Sequence, residues 1–320
     1  MAQSVSQARG AWALALSFLL GVSCSSNDNS SGRDSSSGEI YAHVGNGTVV
    51  LKQVASGQFF SCGLKADDTI LCWGLINGVK ASPPPGTFAK IAAGWYHACG
   101  LAADGSIACW GNNSQGQLVA PPGPFIDVTA GYMFACGLLA NGTAVCWGDI
   151  SLGEGTPPPG ATFRQITAGF AHVCGLGQDG TAQCWGSVTA GSITPPADTF
   201  ATLSAGGGST CGLHPDGTLA CWGYNLTEDP SLEPTGPLLQ VSTGGDHTCY
   251  LKPSGSVECH GIGCETSQAL QSALAYACTP ETGTFTQISA GDTHTCGLRP
   301  NGTVACWAAN PSPNGECSPP

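Results

Sequence analysis

Positive charge is scarce in this sequence. Nine Lys and Arg face 21 Asp and Glu, for a net charge of -12, and only eight of the nine lie beyond the first cysteine. They do not cluster, so the chain offers no track for a phosphate backbone and no nucleic-acid partner is expected. The apolar run Ala11 to Val22 is too short for a membrane-spanning helix. Catalytic signatures are missing as well: there is no Gly-x-Ser-x-Gly, no His-Glu-x-x-His and no phosphate-cradling glycine loop. Cys-x2-Cys spacing does not occur, which argues against a structural zinc site. These absences predict a chain that is not an enzyme and that carries neither metal nor cofactor.

What is present is repetition. A block typified by Ile91 to Asn112, I-A-A-G-W-Y-H-A-C-G-L-A-A-D-G-S-I-A-C-W-G-N, returns seven times with its two cysteines always ten positions apart. The pairs are Cys62/Cys72, Cys99/Cys109, Cys136/Cys146, Cys174/Cys184, Cys211/Cys221, Cys249/Cys259 and Cys296/Cys306. First cysteines recur every 37 or 38 residues, apart from one step of 47 between Cys249 and Cys296. A fixed period of this size marks a repeat architecture, and it overrides length as a guide to domain count.

Each block reads as a hairpin. Cys99 and Cys109 are symmetric about Asp104, so strands of about His97 to Ala102 and Ser106 to Gly111 flank a loop of Ala103, Asp104 and Gly105. A three-residue loop needs a left-handed residue at its third position. Gly142, Gly180, Gly217, Gly255 and Gly302 hold that offset in later repeats, and Asp68, which tolerates positive φ, holds it in the first. The register sets the two cysteines opposite each other at a non-hydrogen-bonded pair, with Cα atoms about 4.5 Å apart and close enough to bridge. Each bridge would contribute somewhat under 3 kcal/mol in the chain-entropy model. Buried free thiols are the competing reading.

The residue after the second cysteine is Trp73, Trp110, Trp147, Trp185, Trp222 or Trp307, with His260 in the sixth repeat. It points to the face opposite the disulfide, so both faces of the hairpin need cover. A linear solenoid would need polar capping repeats, and the terminal copies are as apolar as the inner ones. Seven units fall within the propeller range. The expected fold is an all-β, seven-bladed propeller with one cross-strand disulfide per blade.

Two blocks carry a family resemblance. Ile288 to Trp307 reads I-S-A-G-D-T-H-T-C-G-L-R-P-N-G-T-V-A-C-W, and Trp110 to Leu118 reads W-G-N-N-S-Q-G-Q-L. Both resemble the repeats of the RCC1 (regulator of chromosome condensation) family, over about Gly47 to Pro320, and most closely its short, cysteine-paired bacterial form. The resemblance implies a seven-bladed propeller serving as a binding scaffold. It also implies two alternatives: a secreted inhibitor that docks a propeller face over a β-lactamase, and the guanine-nucleotide exchange activity of eukaryotic relatives. Exchange needs a cytosolic or nuclear GTPase, against which the N-terminus argues.

Residues 1–23 read as an export signal, with Arg9 ahead of the apolar run. Gly21-Val22-Ser23-Cys24 resembles a bacterial lipobox, making Cys24 the lipidated residue; Gly21 departs from the usual leucine and leaves ordinary cleavage as the alternative. Residues 24–39 form a Ser-rich tether without apolar residues to bury. Residues 40–320 form the propeller, with Ile40 to Val44 placed to add a strand to the last blade. The expected setting is the bacterial cell envelope, as an outer-membrane lipoprotein or a secreted protein, where disulfides persist. The expected state is a monomer, touching membrane only through its lipid and meeting a protein partner at the cell surface.

The sixth repeat carries an insert, 262–280, in which Cys264 and Cys278 can close a loop of helical composition; Glu265 and Tyr276 are its candidate contacts. Cys317 is left over from the pairing arithmetic. His97, His172, His247 and His294 recur two positions before the first cysteine, where other blades hold Phe60, Phe134 and Ser209. Packing suits that pattern better than a metal ring. Trp95, Tyr96, Tyr132 and Phe170, just after the Ala-Gly step, are the candidate binding platform, for protein or for glycan, against interblade packing as the plainer role. A sialidase-like site fails, because only Arg164 and Arg299 lie beyond the tether. Asn141-Gly-Thr and Asn301-Gly-Thr match a glycosylation sequon but coincide with hairpin turns.

Overall fold

A computed structural model describes residues 43–44, 47–187, 193–223, 234–261, 280–308, 317 and 319. Cys24, the tether, and the insert with Glu265, Tyr276, Cys264 and Cys278 lie outside these residues. Within them the chain is all-β and forms seven consecutive antiparallel sheets arranged as the blades of a propeller. Among the described residues no helix is long and apolar enough to cross a membrane.

The first blade has an inner strand Leu51–Ser56, a middle strand Phe60–Lys65 and an outer strand Ile70–Ile76, with Val79–Lys80 added at its edge. The other blades repeat the three-strand order, and their inner strands are Lys90–Ala93, Phe125–Ala130, Phe163–Ala168, Thr202–Ala205, Gln240–Thr243 and Gln287–Ala290. Middle and outer strands meet in the register set by the turn. In the second blade, Ala102 N donates to Ser106 O (2.9 Å) and Gly105 N to Ala102 O (3.0 Å), which closes the three-residue loop. The left-handed position is Asp68 at φ 67° in blade one and glycine at φ 81–85° in the other six. The carboxylate or amide at the loop's centre accepts from the backbone two residues on, as Asp104 does from Ser106 N (2.9 Å) and Asn141 from Thr143 N (3.0 Å). Asp67, Asp104, Asp179 and Asp216 are held below the ordinary carboxylate range by these bonds, Asp67 down to about 2. The turn acids and the sequon asparagines therefore serve backbone geometry.

All seven expected cysteine pairs are disulfides: Cys62–Cys72, Cys99–Cys109, Cys136–Cys146, Cys174–Cys184, Cys211–Cys221, Cys249–Cys259 and Cys296–Cys306. Their Cα atoms stand 4.0–4.1 Å apart, closer than the spacing expected of the register alone, because the bridge draws the strands together. The two halves of a bridge are not equally covered. Every first cysteine, on a middle strand, is buried, whereas Cys109, Cys146, Cys184 and Cys221, on outer strands, are half-buried and Cys72, Cys259 and Cys306 are buried. A middle strand is flanked on both edges, while an outer strand has one edge free.

Each disulfide is sandwiched by the next blade. Trp110 of blade two lies in one apolar cluster with Cys62 and Cys72 of blade one, Trp147 with Cys99 and Cys109, and Trp185 with Cys136 and Cys146. Trp222 covers Cys174 and Cys184, and Trp307 covers Cys249 and Cys259. Trp73 of blade one joins Cys296 and Cys306 of blade seven, which closes the circle. Most blades thus offer sulfur on one face and indole on the other. Burying one such aromatic contributes on the order of 2–3 kcal/mol.

The sixth repeat makes the same contact with different residues. Leu238 stands ahead of its inner strand where five other blades carry a buried phenylalanine, its Cys-Gly-Leu becomes Cys249-Tyr250-Leu251, and His260 replaces tryptophan. In blade three a Cβ on Gly137 would lie 2.4 Å from the Phe125 ring, so glycine and phenylalanine there depend on each other. Leu238 and Tyr250 pack together there, in one apolar cluster with Cys211 and Cys221 of blade five. Tyr250 and His260 stand 5.8 Å apart, matching the 5.4–6.1 Å of the Phe–Trp pairs elsewhere.

Of the N-terminal stretch expected to add a strand to the last blade, 40–42 lie outside the described residues; His43–Val44 pairs with Gly47–Thr48, and the described last-blade sheet holds its own three strands. Side-chain rungs join the ends: Gln287 Nε2 donates to Val54 O (3.1 Å) and Val54 N donates to Gln287 Oε1 (3.0 Å). Gln53 with Ile91, Gln165 with Leu203, and Gln240 with Ile288 repeat the rung between other blades. Lys90 and Asp127 replace it with an ion pair between blades two and three.

Candidate functional site

Each inner strand ends in glycine at the propeller axis, and the reason is steric. A Cβ on Gly57 would sit 2.5 Å from Gly94 O, one on Gly94 2.3 Å from Gly131 O, and one on Gly206 2.1 Å from Gly244 O. The series continues through Gly131, Gly169 and Gly244 to Gly291, whose Cβ would meet Gly57 O at 2.2 Å. The seven glycines form a closed ring of backbone against backbone. The residue after each one ties its N–H to the following blade. Trp95 N donates to Gly131 O (3.1 Å), Phe170 N to Gly206 O (2.9 Å), Gly245 N to Gly291 O (3.0 Å) and Asp292 N to Gly57 O (3.1 Å).

That following residue varies around the ring: Gln58, Trp95, Tyr132, Phe170, Gly207, Gly245 and Asp292. Blades two to four gather the aromatics. Tyr132 stacks on Phe170 (centroids 4.2 Å), and Trp95 meets both edge-on at 5.4 and 4.9 Å. Tyr96 packs edge-on against Tyr132 at 5.4 Å. Burial first, then its neighbour Tyr132, raises the Tyr96 hydroxyl above its ordinary range. All four sequence-predicted platform residues therefore come together; three are half-buried and Phe170 is 37 % exposed.

Blades five and six leave a gap, and blades seven and one fill it with polar groups. A Cβ on Gly245 would lie 2.0 Å from Asp292 Oδ1, so the carboxylate occupies the place of a side chain on blade six. Gln58 Nε2 donates to Asp292 Oδ2 (3.1 Å). Burial pushes the Asp292 carboxyl up to about 6, Gln58 opposes the shift and Asp246 adds to it. A cavity of about 60 Å³ opens on the axis, walled by the alanines and glycines of the inner ring, with Trp95 and Asp292 among its lining. None of the disulfide cysteines lines it, Cys146, Cys221 and Cys259 included, so they brace the frame and take no part in the mouth. Sequence reading missed Asp292 and Gln58. The signal was their shared offset, one residue past the ring glycine.

The recurrent histidines serve the blade interfaces. His172 Nε2 contacts Thr210 Oγ1 (2.8 Å), His247 Nε2 contacts Thr295 Oγ1 (2.6 Å), and His294 Nε2 contacts Ser61 Oγ (2.7 Å) on the next blade round. Where the residue is Phe60 or Phe134, the next blade offers Ala98 or Val173 instead. His97 breaks the rule: it faces a blade with Ala135, and neither ring nitrogen has a side-chain partner. Burial depresses His97, His172 and His247 to about 4 and His294 to about 3, so all four are neutral at physiological pH. Among the described residues no group of three or more His, Cys, Asp or Glu gathers as a metal site.

Residues 51–78, 88–117, 163–191 and 285–307 match the family described as the regulator of chromosome condensation (RCC1) repeat. Four of its seven blades are RCC1 repeats. The remaining three repeats follow the same cysteine and glycine register. This RCC1-repeat propeller is similar to the ectodomain of the Physcomitrella patens receptor kinase CR4, with 25 % identity, a TM-score of 0.69, and coverage of 82 % of this chain and 74 % of that one. It is also similar to the CRINKLY WD40 ectodomain of the Arabidopsis thaliana receptor kinase ACR4, with 24 % identity, a TM-score of 0.63, and coverage of 81 % and 98 %. Yeast RCC1 (Prp20), solved bound to Kap60, shares the fold at 15 % identity and a TM-score of 0.57, covering 81 % of this chain and 80 % of that one. No curated protein sequence matches the chain significantly. The seven disulfides fit an oxidising compartment.

Proposed function

We propose that this RCC1-repeat propeller is a non-catalytic, protein-binding scaffold of the bacterial cell envelope, exported by residues 1–23, anchored through Cys24 or released, and presenting its axial mouth to a partner. The observation that carries the reading is the gathering of Trp95, Tyr96, Tyr132 and Phe170, only partly covered, at the centre of a disulfide-stapled frame. Aromatic anchors on a rigid support supply most of the energy of protein interfaces at little entropic cost. A partner enzyme blocked by the docked face is one form this takes.

The test is capture of surface proteins by the disulfide-intact chain, beside a Trp95→Ala/Tyr132→Ala/Phe170→Ala variant and a variant lacking 265–277. Loss of a captured protein with the aromatic variant supports the axial mouth as the contact. Loss only with the deletion moves the contact to the sixth-repeat insert. The same rings favour a second reading, a sugar platform; retention on cell-wall glycan with no protein captured would replace the scaffold reading with it.

A further inference from the structure

We propose that the axial mouth receives the side-chain ammonium of a lysine on the partner polypeptide, in the cavity lined by the Asp292 carboxylate and the Trp95 ring. This rests on the reading of the mouth as the partner contact. The first argument is charge. Asp292 is half-buried, and its hydrogen-bond donor is the neutral Gln58 amide. No cation among the described residues pairs with it: Lys52, Lys65, Lys90, Lys252 and Arg299 pair with Asp68, Asp67, Asp127, Glu258 and Glu281, and Lys80 is exposed on the edge strand of blade one. Arg164 is spent on backbone carbonyls of Gly177, Phe200 and Ala201. A carboxylate withdrawn from water with only a neutral donor gains from a cation brought to it.

The second argument is space. Blades five and six carry glycine at the mouth, and a Cβ at either would collide, on Gly207 with Gly245 O (2.4 Å) and on Gly245 with Asp292 Oδ1 (2.0 Å). The room left is about 60 Å³. Small-molecule clefts run to roughly 300–1,000 Å³, so this one takes a side-chain tip and not a sugar ring. Among cationic tips the compact ammonium fits such a cavity better than the broad planar guanidinium. The Trp95 ring, which lines the cavity together with Asp292, supplies the aromatic surface that a desolvated ammonium favours. The chain's net charge of -12 steers a basic segment toward it.

Proton linkage gives the site a signature. The carboxyl, raised to about 6 by burial, must be ionised to hold the ammonium, so affinity falls as pH drops below that value. Of the other groups around it, Asp246 adds repulsion and Tyr96 stays neutral, its hydroxyl raised. His247 and His294, depressed to about 4 and 3, stay neutral from pH 5 to 8.

The test uses the full chain with disulfides intact, titrated calorimetrically with an acetylated pentapeptide carrying a central lysine and with its glutamine counterpart. The lysine peptide should bind about tenfold or more tightly, and Asp292→Asn should remove that preference without lowering Tm. Asp104→Asn, which deletes an equal charge at a turn where Asn141 and Asn301 already serve, should leave it intact. If Asp292→Asn lowers Tm, unmodified chain at pH 5 and 7.5 replaces it, with several-fold weaker lysine binding at pH 5 expected. Equal binding of the two peptides, no response to pH or to Asp292→Asn, or preference for choline over n-butylammonium each overturns the proposal. Surface capture that survives Asp292→Asn but not loss of the rings leaves the scaffold reading standing and removes the ammonium.

Discussion

Adding one methyl group to the axial ring should loosen the whole propeller. Gly206→Ala places a Cβ 2.1 Å from Gly244 O and 2.7 Å from Thr243 Cγ2, against about 3.4 Å for ordinary contact. Relief requires blades five and six to part by more than 1 Å at the axis. The bonds that hold them there are Gly207 N to Gly244 O (2.8 Å) and Thr243 N to Ser204 Oγ (3.0 Å). Overpacking costs about 1–3 kcal/mol and each weakened bond about 1 kcal/mol, so the expected loss is about 3 kcal/mol or more. For a domain of this size that is a Tm drop of roughly 6–12 °C. Gly116→Ala isolates the backbone contribution, since Gly116 has φ 79° with nothing within 4 Å of an added methyl, and it should cost about 1 kcal/mol. Thermal unfolding under oxidising conditions compares the two. A Gly206→Ala protein that loses no more than Gly116→Ala would refute the steric ring.

Three further outcomes follow from the interfaces. His97→Phe recreates the pairing of Phe60 with Ala98, because the next blade already offers Ala135; it should hold or raise Tm, and a drop of more than a few degrees would count against the pairing rule. The four buried histidines have folded pKa values of about 3 to 4 against about 6.5 unfolded, so the unfolded chain binds more protons between those values. Stability is full above about pH 6.5 and is lost as pH falls toward 4; Asp292, raised to about 6, works in the opposite direction but is one group against four. A Tm flat from pH 7 to 4.5 would contradict this, and His97→Phe should make the slope shallower. Replacing Cys174 and Cys184 together by alanine opens a ten-residue loop and should cost about 2.7 kcal/mol, read from denaturant midpoints.

The turn and the disulfide were legible because local chemistry fixes both. Asp68 and the glycine at the same offset each state a left-handed position, and the turn then dictates which cysteines face each other. Period-two alternation was enough to place Trp110 on the face away from Cys109. Which half of a bridge stays partly open was not legible, since Cys146 and Cys221 differ from Cys259 only in what the neighbouring blade lays over them. The aromatic platform could be read from its offset past the ring glycine. Asp292 could not, because an acid beside Gly291 looks like turn chemistry until the axis brings it toward Gln58 across the blade-seven to blade-one seam. Interface pairs such as His172 with Thr210 were hidden for a similar reason: the partners stand 38 residues apart, and only the ring makes them neighbours. The compensated swap of Leu238, Tyr250 and His260 was visible only as the lost tryptophan.

The glycine ring separates what each blade must keep from what it is free to change. One residue is clamped by its neighbour's carbonyl, and the very next one has its backbone tied while, in five of the seven blades, it carries a side chain that differs from blade to blade. Seven such positions stand in a fixed circle, now spelling Gln, Trp, Tyr, Phe, Gly, Gly, Asp. Rewriting one of the five that carry a side chain alters what the mouth displays, whereas Gly207 and Gly245 are held as glycine by their neighbours. The architecture works as a lock with five exchangeable tumblers and two fixed ones.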